Sequence, residues 1–394
     1  MKHSSWIEID YCALKKNIRY LRKRLGNDVR FASVIKGNAY GHGIEVYLPI
    51  AEECGIDYFA VFDAYEAELA YKSKKESTEL MIIGMIQNDE IGWAIENDIA
   101  FYVFEMDRLK AAINIARKMN KKARIHIEME TGMNRTGFED SDLIILVALL
   151  HDNMDYLELE GLCTHLAGAE SIANYLRIQK QLENFERLVK SFTERNLKFK
   201  YQHIASSAAA LIYPESIKNL ARIGIAQYGY WPSMETKMNN LLSDTNRFTR
   251  DPLHRILSWK TRIMSTKIVA PGKFVSYGNA YLTTKTRKIA TVPIGYFHGY
   301  RRSLSNTGYV LVRGSKANVI GMVNMNIFQI DVSHINGVQK GDEVVIIGSQ
   351  GKNRISVASF AELSNQINYE FLTRLPASIP RIVNKKANNK SSKK

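Results

Sequence analysis

Val34-Ile35-Lys36-Gly37-Asn38-Ala39-Tyr40-Gly41-His42-Gly43 runs from an apolar strand pattern into a lysine and then into a turn holding three glycines. A lysine at the end of a buried strand is costly, because leaving water disfavours the ammonium and lowers its pKa. The same loss of hydration leaves a neutral amine suited to Schiff-base chemistry with an aldehyde. The glycines permit positive φ and close backbone approach, and Asn38 suits a turn. A lone lysine here would more simply snorkel to solvent, so the reading depends on what surrounds it.

Outward from this stretch, short apolar runs alternate with amphipathic ones. Strand patterns fall near 30 to 36, 58 to 62, 80 to 84, 99 to 104, 124 to 130, 157 to 165, 200 to 205 and 222 to 228. Helical patterns occupy Ile44 to Glu53, Ala64 to Lys72, Asp89 to Glu96, Met106 to Lys118, Ser141 to Leu150 and Ser171 to Arg195. Eight alternations in about 200 residues fit a parallel barrel better than an open sheet. Polar residues stand at the ends of these runs: Lys36 closes the first, Glu128 and Arg135 close or follow the fifth, and His165 closes the sixth. Ser206 and Ser207 end the seventh, and Arg222 opens the eighth. In a barrel such ends converge on one face.

From 234 to 254 the pattern lapses into polar, turn-rich sequence, where a domain boundary is expected. Beyond it, strand patterns at Leu257 to Val269, Lys288 to Val292, Tyr309 to Val312, Asn318 to Met322, Ile327 to Val332 and Glu343 to Ile347 predict a smaller β domain. One amphipathic helix is expected from Val357 to Asn365. The fold class is therefore α/β, an N-terminal (β/α)8 TIM-type barrel over 10–236 followed by a smaller, mainly β C-terminal domain over 245–384. Residues 385–394 read as a disordered lysine-rich tail.

The chain has 394 residues and a formal net charge of +14. Five of the lysines lie in the last ten residues, and the remaining excess is spread without a basic helix or aromatic RNA motif. Nucleic-acid binding is thus not expected. Cys12, Cys54 and Cys163 are isolated, which argues against a zinc site and for a reducing compartment. The longest aliphatic run, Leu143 to Leu150, is too short to span a bilayer, and no signal-peptide core is evident. A cytoplasmic protein with no membrane partner and no metal is expected.

The opening stretch closely resembles the lysine segment of alanine racemases, fold-type III pyridoxal-phosphate enzymes. Matching segments follow in family order from Trp6-Ile-Glu-Ile-Asp10 to Tyr369-Glu370 and Pro380-Arg381. The resemblance implies an isomerase that interconverts L- and D-alanine with pyridoxal 5'-phosphate, supplying D-alanine for peptidoglycan. It assigns Lys36 to holding the cofactor and to one base, and Tyr277 of Val275-Ser-Tyr-Gly278 to the opposite base. Arg222 matches the arginine facing the pyridine nitrogen, and His203 the histidine that supports it. His165 and Arg222 are implied sources of a lowered Tyr277 pKa.

Tyr40, Ser207, Tyr369 and the amides of Gly224 and Ile225 match the phosphate ligands. Arg135 matches the arginine beside the cofactor oxygen and substrate carboxylate, Met325 a backbone amide for that carboxylate, and Tyr296 the inner gate. The resemblance also implies a head-to-tail homodimer, in which Tyr277, Tyr296 and Met325 reach into the partner's barrel, and places residues 3 to 9 in the β domain.

Several positions depart from the family pattern. Gly37 replaces an alanine, Ser206 an asparagine, His298 and Asn326 aspartates, and Met322 an arginine of the entrance, where Arg302 and Glu170 are kept. Glu128 stands where many members carry a carbamylated lysine, and is expected to substitute electrostatically in orienting Arg135. The altered entrance suggests a broader substrate range, including serine. A decarboxylase is disfavoured because its glycine and cysteine signature is missing, and a PLP carrier without turnover because the β domain with both proposed bases is retained.

Overall fold

The structure, a computed structural model, describes residues 3–243, 251–357 and 368–386. Two compact units emerge: residues 13–37 with 48–255, and residues 1–12 and 38–47 with 256–394.

The second of these opens with β1 (Ser5–Asp10). The first is the barrel. Its strands are β2 (Arg30–Val34), β3 (Tyr58–Asp63), β4 (Glu79–Met85), β5 (Ala100–Val103), β6 (Ala123–Glu128), β7 (Leu157–Cys163), β8 (Tyr201–His203) and β9 (Leu220–Ile223). All paired neighbours are parallel, in the order β8-β7-β6-β5-β4-β3-β2-β9. The seam between β8 and β9 is nearly closed, with the Arg222 N–H donating to the Ala205 carbonyl at 3.0 Å. All eight expected strands have a counterpart, although the eighth, expected over 222 to 228, ends at Ile223 and gives way to a 3-10 helix over Ile225–Tyr228.

Parallel strands are covered on both faces, and β5 and β6 are buried along their whole length. Along β6, however, Arg124, His126 and Glu128 alternate with Ala123, Ile125 and Ile127. Period-two alternation aims those three polar side chains to one side of the strand. They are nonetheless buried.

The other unit is a ten-stranded sheet. Besides β1 it comprises β10 (Leu257–Arg262), β11 (Ser265–Val269), β12 (Arg287–Val292), β13 (Tyr309–Val312), β14 (Ser315–Ile320), β15 (Phe328–Asp331), β16 (Glu343–Gln350), β17 (Asn353–Ile355) and β18 (Arg381–Asn384). β1 lies between β10, antiparallel, and β18, parallel. Arg313 and Gly314 both have positive φ, as a two-residue hairpin between β13 and β14 requires. Trp259, fully buried on β10, anchors its core.

Four features differ from the sequence reading. The single strand expected over Leu257 to Val269 is two, β10 and β11, each joining different neighbours. β17 and β18 were not anticipated. Arg222 lies inside β9 rather than opening a strand. The polar segment after 233 begins with a helix, Met234–Ser243, because its polar residues have an inward face: Thr236 and Asn240, one turn apart, are buried, and Asn240 accepts from the Tyr20 hydroxyl. The expected helix from Val357 to Asn365 lies outside the described residues beyond Val357, as does the tail from 387 onward. Among the described residues no helix is long and apolar enough to cross a membrane.

Candidate active site

Lys36 stands two residues beyond β2, where the chain leaves the strand for a left-handed turn. Gly37, Asn38, Ala39, Tyr40 and Gly41 all have φ between 51° and 78°. Glycine and asparagine adopt this conformation readily, but Ala39 and Tyr40 are strained there by roughly 1–2 kcal/mol each. The turn is pinned from several sides. Asn38 Oδ1 accepts from the Ile44 N–H at 2.9 Å. His42 Nδ1 donates to the carbonyls of Ala39 and Tyr40. Burial holds that imidazole neutral, with its pKa pushed down to about 3. The Arg381 guanidinium donates to the Gly41 carbonyl from Nε and Nη2. Gly41 cannot be replaced in place, since a Cβ would sit 1.9 Å from the Leu372 carbonyl oxygen.

The Lys36 side chain keeps access to solvent, yet surrounding protein removes much of its hydration. That desolvation lowers its pKa, and the charges of Arg135 and Arg222 push the same way against Glu66. His165, desolvated beside the same three cations, is lowered to about 3 and stays neutral. The barrel mouth is therefore electropositive, with an amine that gives up its proton more easily than a free lysine.

Arg222 is 5% exposed. Its Nη1 donates to His203 Nδ1 and to the His203 carbonyl at 2.9 Å. Nη2 donates to the carbonyls of Thr164 and Ile204, at 2.8 and 3.1 Å, and reaches His165 Nδ1 at 3.4 Å. Nε makes no hydrogen bond to any described residue. Nearby, the Ser207 hydroxyl begins a short helix and accepts the N–H groups of Gly224 at 2.9 Å and Ala226 at 3.4 Å. Ser207, Gly224 and Ile225 are thus brought together on the barrel unit.

Glu128 is linked to Arg135 by charge but not by contact. Its Oε2 accepts from the Thr136 hydroxyl at 2.9 Å, and it makes no hydrogen bond or ion pair with Arg135, which is exposed. Burial pushes the Glu128 carboxyl up, and the Thr136 hydrogen bond and the charges of Arg222 and Arg135 only partly oppose this. Its hydrogen bond goes to the threonine, while the charge of Arg135 acts on it through space, so the link between the two is electrostatic rather than a direct contact.

On the β unit, Tyr40 and Tyr369 have ring centroids 6.1 Å apart. Tyr277, Tyr296 and Met325 are assembled on one exposed surface of that unit. Ser276 donates to the Met322 carbonyl at 2.8 Å, and the amides of Tyr296 and Phe297 donate to the carbonyls of Asn324 and Met325. Tyr277 is 75% exposed, Met325 54% and Tyr296 46%.

The sequence reading missed the groups beneath Arg222. His126 Nδ1 lies 2.8 Å from His203 Nε2, and its Nε2 lies 3.1 Å from the Tyr58 hydroxyl. Arg124 and Glu160 form a buried bidentate pair on neighbouring strands. The signal available was the Arg-x-His-x-Glu alternation of 124–128.

A desolvated lysine at the mouth of a parallel barrel, backed by a buried, permanently charged arginine and joined to a mainly β domain, defines a barrel enzyme of amine chemistry. The chain matches the family described as alanine racemase, N-terminal domain, over residues 9–232, and alanine racemase, C-terminal domain, over 256–383. It is 34% identical over 384 residues to an alanine racemase of Leptospira interrogans, covering 97% of this chain and 96% of that protein. Its fold is similar to that of an alanine racemase from Clostridium difficile 630, with a TM-score of 0.87, 27% identity and coverage of 98% and 97%. A Bacillus anthracis alanine racemase, solved with bound L-Ala-P, gives a TM-score of 0.85 at 32% identity, with coverage of 98% and 96%. The chain belongs to the alanine racemase family.

Proposed function

We propose that this protein interconverts L- and D-alanine with pyridoxal 5'-phosphate, works in the cytoplasm as a homodimer, and supplies D-alanine for peptidoglycan. The observation that carries the reading is the Lys36 amine at the barrel mouth, lowered in pKa by desolvation and further by the charges of Arg135 and Arg222. The residues present suit the cofactor. Among the described residues nothing accepts from Arg222 Nε, which leaves that N–H for a pyridine nitrogen. The Ser207 hydroxyl and the Ile225 amide suit a phosphate as donors, the Gly224 N–H being held by Ser207 Oγ in this structure, and family position adds Gly224, Tyr40 and Tyr369.

When bound, pyridoxal phosphate supplies a ring into which charge left at the α-carbon can spread. Lys36 holds the cofactor through Nζ and then takes or returns a proton at that nitrogen. The partner's Tyr277 is assigned the opposite proton. High exposure of Tyr277, Tyr296 and Met325 on this protomer supports their use by a second copy. Arg222, always charged, donates rather than accepts and so keeps a facing nitrogen unprotonated. Its neighbours His165 and His203 are neutral and take up none of that charge, which acts instead on the Glu128 carboxyl. Arg135 and Met325 bind the substrate carboxylate, and Tyr296 gates access.

The test is purified protein with pyridoxal phosphate and each L-amino acid in turn, followed by chiral chromatography. L-alanine should yield the racemate, and Lys36→Ala should yield none. Failure to racemise any amino acid, or undiminished turnover by Lys36→Ala, would overturn the proposal.

A further inference from the structure

Arginine carries only donors, so His203 Nδ1, facing Arg222 Nη1, must accept. The proton of His203 is then on Nε2, which lies 2.8 Å from His126 Nδ1 and donates to it. His126 must in turn carry its proton on Nε2 and donate to the Tyr58 hydroxyl at 3.1 Å. The two imidazoles meet edge to face, with centroids 4.9 Å apart at 76°. Both are fully buried, and desolvation holds His126 at about 3 and His203 well below its ordinary range. The relay is therefore neutral beyond Arg222 and has only one direction.

The strands make room for this contact. A Cβ on Gly161 would lie 2.0 Å from His126 Nδ1 and 2.8 Å from His203 Nε2, so glycine on β7 sits over the hydrogen bond itself. The β6–β7 register also shifts between Ile125 and His126.

We propose that His126, admitted by Gly161, is a positioning residue for Arg222: by accepting from His203 it locks the tautomer through which His203 holds the guanidinium. Without that acceptor, the His203 Nε2–H is buried and unsatisfied. The alternative tautomer would satisfy it only by aiming an Nδ1–H at the Arg222 N–H. Either outcome loosens Arg222 and the direction of its Nε. This inference builds on the role proposed for Arg222, but its primary test does not require catalysis.

Nitrogen-15 NMR of histidine-labelled protein without cofactor should show His126 and His203 neutral and protonated on Nε2. His126→Asn, whose Oδ1 replaces the accepting Nδ1, should preserve the His203 signature; His126→Leu and Gly161→Ala should lose it. In the loaded enzyme, kcat should fall about tenfold in His126→Leu with KM little changed, the scale of one lost buried hydrogen bond, and recover to within about twofold in His126→Asn. An Nδ1–H tautomer at either ring, or unchanged His203 signals and kcat in folded His126→Leu, would overturn the proposal. If the leucine and alanine variants do not fold, the wild-type tautomers and His126→Asn decide it. Intact tautomers in a protein that racemises nothing would fault the function and leave the relay standing.

Discussion

Replacing Arg124 with methionine removes the buried cation that joins Glu160, Glu79 and Asp98. Its Nε and Nη2 donate to both oxygens of Glu160 at 2.5 and 2.7 Å, and Nη1 donates to Asp98 Oδ2 at 3.0 Å, while Glu79 takes a further bond from Nη2. Glu160 is fully buried, and among the described residues Arg124→Met leaves it Lys200 alone as an ion-pair partner, half-exposed and 3.3 Å away. Removing one partner of such a pair costs about 3–5 kcal/mol, because the remaining charge is stranded. At about 2–4 °C per kcal/mol for a unit of this size, melting at pH 7 should fall by roughly 10 °C, read by circular dichroism.

The pH dependence distinguishes a stranded charge from lost packing. Burial alone would push the Glu160 carboxyl up, but the hydrogen bonds and charge of Arg124, with the charge of Lys200, hold it below its ordinary 4.5. A depressed carboxyl contributes stability that is present above the unfolded value and lost as pH falls through the folded one. The gap between wild type and Arg124→Met should therefore be widest near neutrality and narrow below about pH 4.5. Arg124→Met with Glu160→Met should recover much of the loss, since an apolar pair can replace a buried ion pair. A single variant within about 1 kcal/mol of wild type, a gap independent of pH, or a double variant no better than the single one would refute the reasoning.

Tyr277→Phe should slow proton removal from one alanine enantiomer far more than from the other, measured by deuterium exchange from each; equal small losses would mean the second base is misassigned. Gly41→Ala must both strain a φ of +78° and displace the Leu372 carbonyl, so we expect a loss of about 2–4 kcal/mol in urea denaturation. Arg381→Lys should cost about 2 kcal/mol in the same assay. Lysine cannot span the carbonyls of Gly41, Leu375, Pro376, Ala377 and Ile379 that the guanidinium joins.

What could be read from sequence follows from how each feature is encoded. Eight strands were legible because parallel strands buried on both faces appear as short apolar runs between helical periods. The turn after Lys36 was half legible: glycine and asparagine mark positive φ, whereas nothing in Ala39 or Tyr40 announces a left-handed residue, and their strain is sustained by Asn38, His42 and Arg381. Arg124 and His126 went unread as site residues for a different reason. Polar and apolar alternation ordinarily marks a strand with one wet face, and only closure of the barrel turns that face inward. Gly161 is equally silent in sequence, since its need appears only when two histidines from the neighbouring strands meet across it. Local chemistry thus announces the residues at the barrel mouth, while those that hold Arg222 from below depend on register between strands far apart in the chain.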